Sequence, residues 1–187
     1  MDAREAKRQL RAEVRARLLA LPPATRALEE ELVTAAIQDT PEWRAAGTVA
    51  LYRSVAPELS TVGLANAAWR TGKRVLFPRI APEGLTLHAV TGWTGFEPGP
   101  LNIPQPPAAS PPVPPEQADL AIVPGVAWDT QGGRLGRGGG HYDRLLPRLR
   151  LAWGVGFGAQ VVPAVPGEPH DQRVQRVWAR TLFPLET

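Results

Sequence analysis

The stretch Gly132-Gly133-Arg134-Leu135-Gly136-Arg137-Gly138-Gly139-Gly140-His141-Tyr142-Asp143-Arg144 decides how this chain is read. Upstream, Asp119 to Trp128 carries Leu120, Ile122, Val123 and Val126, and its pattern predicts a buried strand. Downstream, Tyr142 to Leu151 sets Leu145, Leu146 and Leu149 on one face and predicts a short helix. A glycine-packed loop therefore joins a strand to a helix N-terminus. Glycine lets the backbone adopt positive φ and approach a ligand closely. A helix N-terminus presents unpaired N–H donors to an anion. Arg134 and Arg137 add charge-assisted donors among the glycines. These features together predict a polyanion cradle.

The run matches neither the dinucleotide fingerprint G-x-G-x-x-G nor the phosphate loop G-x-x-x-x-G-K-[ST], because no Lys-Ser or Lys-Thr follows its glycines. A flexible linker is the alternative reading. Linkers, however, are polar and Gly/Ser-rich and seldom lie between a strand and a helix.

Outward from the loop, helical and strand patterns alternate. Arg4 to Leu21 places Leu10, Val14, Leu18 and Leu21 at helical spacing, with Lys7 and Arg11 one turn apart beside the stripe. Both cations can snorkel to water or reach inward past the helix edge. After Pro22-Pro23, Ala24 to Gln38 predicts a second helix with Leu28, Leu32 and Ala36 on one face; Trp43 beyond it is expected in the core. Thr48 to Ser54 and Lys73 to Ile80 read as strands around a helix over Val62 to Arg70, for which Ser60 is a candidate cap. Glu58 stands in the intervening loop, where an isolated carboxylate is ordinarily solvated. Leu85 to Val90 reads as an antiparallel edge strand, with His88 on the surface. Seven prolines between positions 104 and 115 make a stiff connector. Leu151 to Phe157 and Val177 to Phe183 are the last strands, and His170-Asp171 between them is acid/base machinery, a metal ligand or a turn aspartate. Alternating strands and helices predict an α/β domain spanning residues 1–187, with a mainly parallel, mixed sheet flanked by helices and its site at the strand C-terminal ends.

Composition narrows the function. With 187 residues, 43% hydrophobic and 21% charged, the chain suits one soluble domain. A net charge of +3 rests on arginine, with only Lys7 and Lys73 as lysines, and favours anionic small molecules. Without a basic tail or a basic-aromatic stripe, nucleic acid is not expected as a partner. With no cysteine, disulfides and thiolate zinc sites are excluded. The charged N-terminal segment has no apolar stretch of signal or membrane-spanning length, so the expected location is the cytoplasm. No long apolar face is left over, and a monomer is expected.

The segment Arg134 to Arg144 closely resembles the signature of the 5-formyltetrahydrofolate cyclo-ligase (5,10-methenyltetrahydrofolate synthetase) family. Weaker resemblances follow in the family's order. Lys7-Arg8-Gln9-Leu10-Arg11 is similar to its K-x-x-x-R helix, and Glu58 with Thr61 to its E-x-[DE]-T, although Ser60 replaces the usual acid. Gly72 to Arg79 is similar to G-K-x-V-x-x-P-R, and Asn102-Ile103-Pro104-Gln105-Pro106 to N-I-P-Q-P, with Leu101 in place of a frequent aromatic residue. His170-Asp171 is similar to its H-D dipeptide, with Gln175 and Ala179 departing from the acid and threonine that usually follow.

The resemblance implies ATP- and Mg²⁺-dependent cyclisation of 5-formyltetrahydrofolate to 5,10-methenyltetrahydrofolate, with release of ADP and phosphate. It implies ATP contacts from Lys7, Arg11, Arg134, Leu135, Gly136, Arg137, Gly138, Gly139, Gly140, His141 and Tyr142. It implies folate contacts from Arg53, Glu58 and Tyr142, metal ligation by Asp143 and Asp171, and catalytic roles for Arg134, Tyr142 and Asp143. Asp143 alternatively caps its helix from the first turn. A related enzyme acting on another N-formyl compound, or a non-catalytic nucleotide- or RNA-binding relative, are the other readings.

Overall fold

The computed structural model describes residues 2–182 except Glu83 and Pro169. Three helices lead the chain, α1 (Ala3–Ala20), α2 (Pro23–Gln38) and α3 (Pro41–Ala45). Strand β1 (Thr48–Ala50) enters the sheet, followed by α4 (Val62–Arg70), β2 (Arg74–Ala81) and β3 (Gly84–Val90). The proline-rich connector holds three two-residue strands, β4 (Glu97–Pro98), β5 (Pro104–Gln105) and β6 (Pro112–Val113). Then come β7 (Leu120–Val123), β8 (Ala127–Trp128), β9 (Arg134–Leu135), α5 (His141–Leu145), β10 (Ala152–Val155) and β11 (Arg176–Trp178).

The main sheet has seven strands in the order β11-β10-β7-β1-β2-β3-β6. The first five are parallel, and β2-β3 and β3-β6 are antiparallel. Side chains alternate across it, as the strand period of two requires. Val49, Val75, Leu120, Ile122, Trp153 and Val155 face the core under α1, α2 and α4. Ala50, Leu76, Ala121, Val123 and Ala152 face the opposite core, closed by Trp128, Leu145, Leu146 and Leu149. All four residues of β7 and of β10 are buried, which central parallel strands covered on both faces demand. The mixed, mainly parallel sheet with flanking helices is the fold expected from the sequence.

Several elements differ from their sequence reading. The strand expected over Asp119 to Trp128 breaks at Pro124-Gly125 into β7 and β8, and β8 turns back in a hairpin with β9. The helix expected over Tyr142 to Leu151 is one α-turn followed by a 3₁₀ turn over Leu146–Arg148, because Pro147 cannot donate to a continuing helix. On α2 the buried face is Glu29, Val33 and Ile37, while Leu28 and Leu32 point outward. His88 is buried, not superficial: its Nε2 meets Thr86 Oγ1 and its Nδ1 meets the Ser110 carbonyl, both at 2.8 Å. The last strand is three residues long, and Phe183 lies outside the described residues.

Candidate active site

The chain leaves β1 for β2 on one side of it, and later places β7 on the other side. That reversal opens a crevice beyond the C-terminal ends of β1 and β7, where open α/β sheets bind ligands. The loop after β1 carries Arg53 and Glu58; the loops after β7 carry the glycine-rich run.

The run divides into two parts. Gly132 and Gly133 belong to the hairpin turn between β8 and β9. The turn is tied by the buried Asp129 carboxylate, which accepts from the N–H groups of Gln131 (2.9 Å), Gly133 (2.8 Å) and Val165 (3.0 Å). Gly132 has φ +80°, and a Cβ there would lie 2.1 Å from the Val174 carbonyl oxygen, so only glycine lets the C-terminal segment dock. The second part, Gly136 to Gly140, is the free loop, and Gly140 enters α5 in the left-handed conformation. With five residues, α5 is too short to supply a strong helix dipole. Positive charge at the loop comes from side chains instead.

Those side chains arrive from separated parts of the chain. Arg11 Nε donates to the Gly136 carbonyl at 2.8 Å and so fixes α1 against the loop. Lys7, one turn earlier and buried, donates to Asp171 at 2.5 Å and to Glu168 at 2.7 Å. Arg134, also buried, donates to Asp143 Oδ1 at 2.7 Å. The same carboxylate oxygen accepts from the Gln172 N–H at 3.4 Å, which links it to the turn bearing Asp171. Arg134 also lies over the Tyr142 ring, 5.7 Å from its centroid. Arg137 donates to Glu58 at 2.7 Å across the crevice. His141 turns to Arg144, with Nδ1 and Nη2 3.4 Å apart. Leu135 is a core residue, 1% exposed, so its side chain does not line the loop surface.

Glu58 and Tyr142 share the electrostatics of the crevice. Burial pushes the Glu58 carboxyl above its ordinary range, partly offset by the Val55 N–H and by Arg137. Burial pushes the Tyr142 hydroxyl far up, and the Glu58 charge adds to that shift, so Tyr142 keeps its proton at neutral pH. Arg53 packs over Trp93 at 5.0 Å and Phe96 at 5.9 Å. Among the described residues, its Nε and that of Arg134 are buried without a hydrogen-bond partner. Two orphaned guanidinium donors fit a site that takes an anionic ligand.

A divalent cation also fits. Glu168, His170 and Asp171 offer ligand atoms within 4.8 Å of one another. Carboxylate oxygen suits a hard cation such as Mg²⁺. Glu168 was missed from the sequence, where nothing but its nearness to His170-Asp171 marked it. Trp93 and Phe96 were missed as well, because their link to Arg53 crosses some forty residues.

Against this geometry, the family model of the 5-formyltetrahydrofolate cyclo-ligases matches residues 3–180. The chain belongs to the 5-formyltetrahydrofolate cyclo-ligase family. It is 27% identical to a mouse 5-formyltetrahydrofolate cyclo-ligase over 192 residues, covering 92% of each chain. It is 30% identical over 175 residues to the cyclo-ligase of Haemophilus influenzae, covering 88% of this chain and 92% of the relative. The solved 5,10-methenyltetrahydrofolate synthetase of Aquifex aeolicus superposes with a TM-score of 0.83 at 30% identity, covering 92% of this chain and 89% of that one. Cyclo-ligase membership makes the chain an enzyme, a ligase of folate metabolism. Among the described residues no helix is long and apolar enough to cross a membrane.

Proposed function

We propose that this chain uses ATP to cyclise 5-formyltetrahydrofolate to 5,10-methenyltetrahydrofolate, releasing ADP and phosphate. The observation carrying this reading is that Arg11, Arg134 and Arg137 gather round the Gly136–Gly140 loop, with Lys7 one helical turn from Arg11 and paired to Asp171, while Glu58 and Tyr142 close the same crevice. Phosphoryl transfer asks a protein mainly for positioning and charge stabilisation, which such a cluster supplies.

In this reading the loop N–H groups and the four cations hold the triphosphate. Its γ-phosphoryl group passes to the formyl oxygen while the ADP oxygen leaves. The N10 amine then attacks the activated carbon and loses its proton, and phosphate departs with the C–O electron pair. Tyr142, kept protonated by burial, donates a hydrogen bond toward the folate, and Glu58 accepts from it. Arg53 presents its unpartnered Nε to the folate from the aromatic wall of Trp93 and Phe96. Asp171, with Glu168 beside it, and Asp143, tied to the same turn through the Gln172 N–H, would hold Mg²⁺. When bound, that ion would neutralise and orient the phosphates. The reading carries with it a monomer acting in the cytoplasm on small-molecule substrates.

Phosphate release from ATP tests this reading. Release dependent on 5-formyltetrahydrofolate and matched one-to-one with its consumption supports it. Release that is the same without folate, or that needs a different N-formyl compound, contradicts it.

A further inference from the structure

Arg137 and Glu58 are assigned to different ligands, the triphosphate and the folate, yet in the protein they hold each other. Arg137 Nη2 stands 2.7 Å from Glu58 Oε1. One comes from the loop after β9 and the other from the loop after β1, so the pair bridges the crevice. The two partners differ in freedom. The Arg137 side chain is 46% exposed, whereas that of Glu58 is 16% exposed. Glu58 is further fixed through Oε2, which accepts from the Val55 N–H at 3.0 Å.

We propose that the Arg137–Glu58 ion pair is a latch that makes nucleotide and folate bind cooperatively, with Arg137 as the positioning residue. This rests on the reading of the site given above. A polyphosphate draws the exposed guanidinium away, since phosphate outbids a single carboxylate for a forked donor. Glu58 cannot follow and is left half-desolvated with one backbone donor, a costly state for a carboxylate. The N–H donors of a reduced pterin relieve that state, so folate binds more tightly once nucleotide is present. By linkage, folate that captures Glu58 releases Arg137 for phosphate and tightens nucleotide by the same factor. The pairs of Lys7 with Asp171 and Glu168, and of Arg134 with Asp143, cannot couple the ligands in this way. They join groups that serve the same phosphate and metal half of the site.

Calorimetric titration of 5-formyltetrahydrofolate, alone and with saturating adenylyl imidodiphosphate and Mg²⁺, tests the latch. The wild type should bind folate about tenfold more tightly with the nucleotide analogue, within the usual range of coupling. In Arg137→Ala, folate alone should bind nearly as tightly as it does to the wild-type ternary complex, so the ratio falls toward one. Arg137→Lys keeps an ion pair and should restore most of the ratio. Glu58→Gln should weaken folate in both conditions and flatten the ratio. A wild-type ratio of one, or an unchanged ratio in Arg137→Ala, overturns the latch while leaving the functional reading intact. Failure of the wild type to bind folate in either condition removes that reading and the latch with it.

Discussion

Lys7 and Asp171 meet at 2.5 Å although 164 residues separate them. The contact fastens α1 to the C-terminal turn and sets the cation proposed to bind phosphate against a carboxylate proposed to hold Mg²⁺. Lys7→Met keeps the length of the side chain but leaves Asp171 and Glu168 without their shared cation. The KM for ATP should rise about tenfold or more, the size of one lost charge-assisted contact. The melting temperature should drop by several degrees. Steady-state kinetics and thermal unfolding check both; unchanged values contradict the role.

The same pair gives stability a pH dependence. Burial raises the Asp171 pKa, but hydrogen bonds from Lys7 and the Glu168 N–H outweigh it and hold the carboxyl below its ordinary range. Glu168 is held down chiefly by its hydrogen bond from Lys7. Burial lowers the Lys7 pKa, but its bonds to the two carboxylates prevail and raise it. Depressed acids stabilise above their unfolded pKa and lose that contribution as pH falls through the folded one. A raised lysine stabilises below its unfolded pKa and loses that contribution as pH rises through the folded one. The pair therefore stabilises most between about pH 5 and pH 10, and weakens progressively as pH falls below about 4. Unfolding of Lys7→Met should show a shallower acid slope than the wild type, and coincident profiles would contradict the pairing.

Two glycines of the glycine-rich run should fail differently. Gly132→Ala drives a methyl into the Val174 carbonyl, so it should destabilise by about 2–4 kcal/mol and reduce expression as well as activity. Gly138 has φ +103° but ample room, with Arg11 Nη2 3.8 Å from a built Cβ. Gly138→Ala should cost only about 1–2 kcal/mol and act mainly on the KM for ATP. Denaturant unfolding beside kinetics separates the two, and equal stability losses would contradict the division of labour.

Glu58→Gln should trade activity for stability. Its carboxyl pKa is raised mainly by burial. For a raised acid, stability is greater at low pH and lessens as pH rises through the folded pKa. Removing the charge should raise the melting temperature at neutral pH by about 2 °C, while folate turnover drops about a hundredfold. A lower melting temperature would show that the Arg137 pair outweighs the desolvation.

The sequence carried the elements whose signals are local. The stripe of α1 at Val14 and Leu18, the antiparallel direction of Leu85 to Val90 and the strand–loop–helix order all came from spacing. The edge position expected for Leu85 to Val90 was wrong, because β6 pairs along its outer side. The face of α2 did not. Glu29 turns inward because it accepts the Gly158 N–H at 2.7 Å, and no local pattern announces that partner. At the break, Gly125 leaves room for the Trp128 ring, which a Cβ there would meet at 2.5 Å. His88 is buried because the segment ending at Ser110 returns to cover it. At the site, the glycine run was legible as a motif, whereas the ion pair between Arg137 and Glu58 spans 79 positions and belongs to the sheet order alone.

The most direct test of the account is the near-ultraviolet absorbance of 5,10-methenyltetrahydrofolate, followed after mixing the protein with 5-formyltetrahydrofolate, Mg²⁺ and ATP. The absorbance should grow with the wild type only when ATP is present. It should fall by a factor of about a thousand or more in Asp143→Ala, which removes the carboxylate shared by Arg134 and the Gln172 N–H. Absorbance that never grows, while ATP still binds, would keep the phosphate loop and contradict the assignment of folate to this crevice.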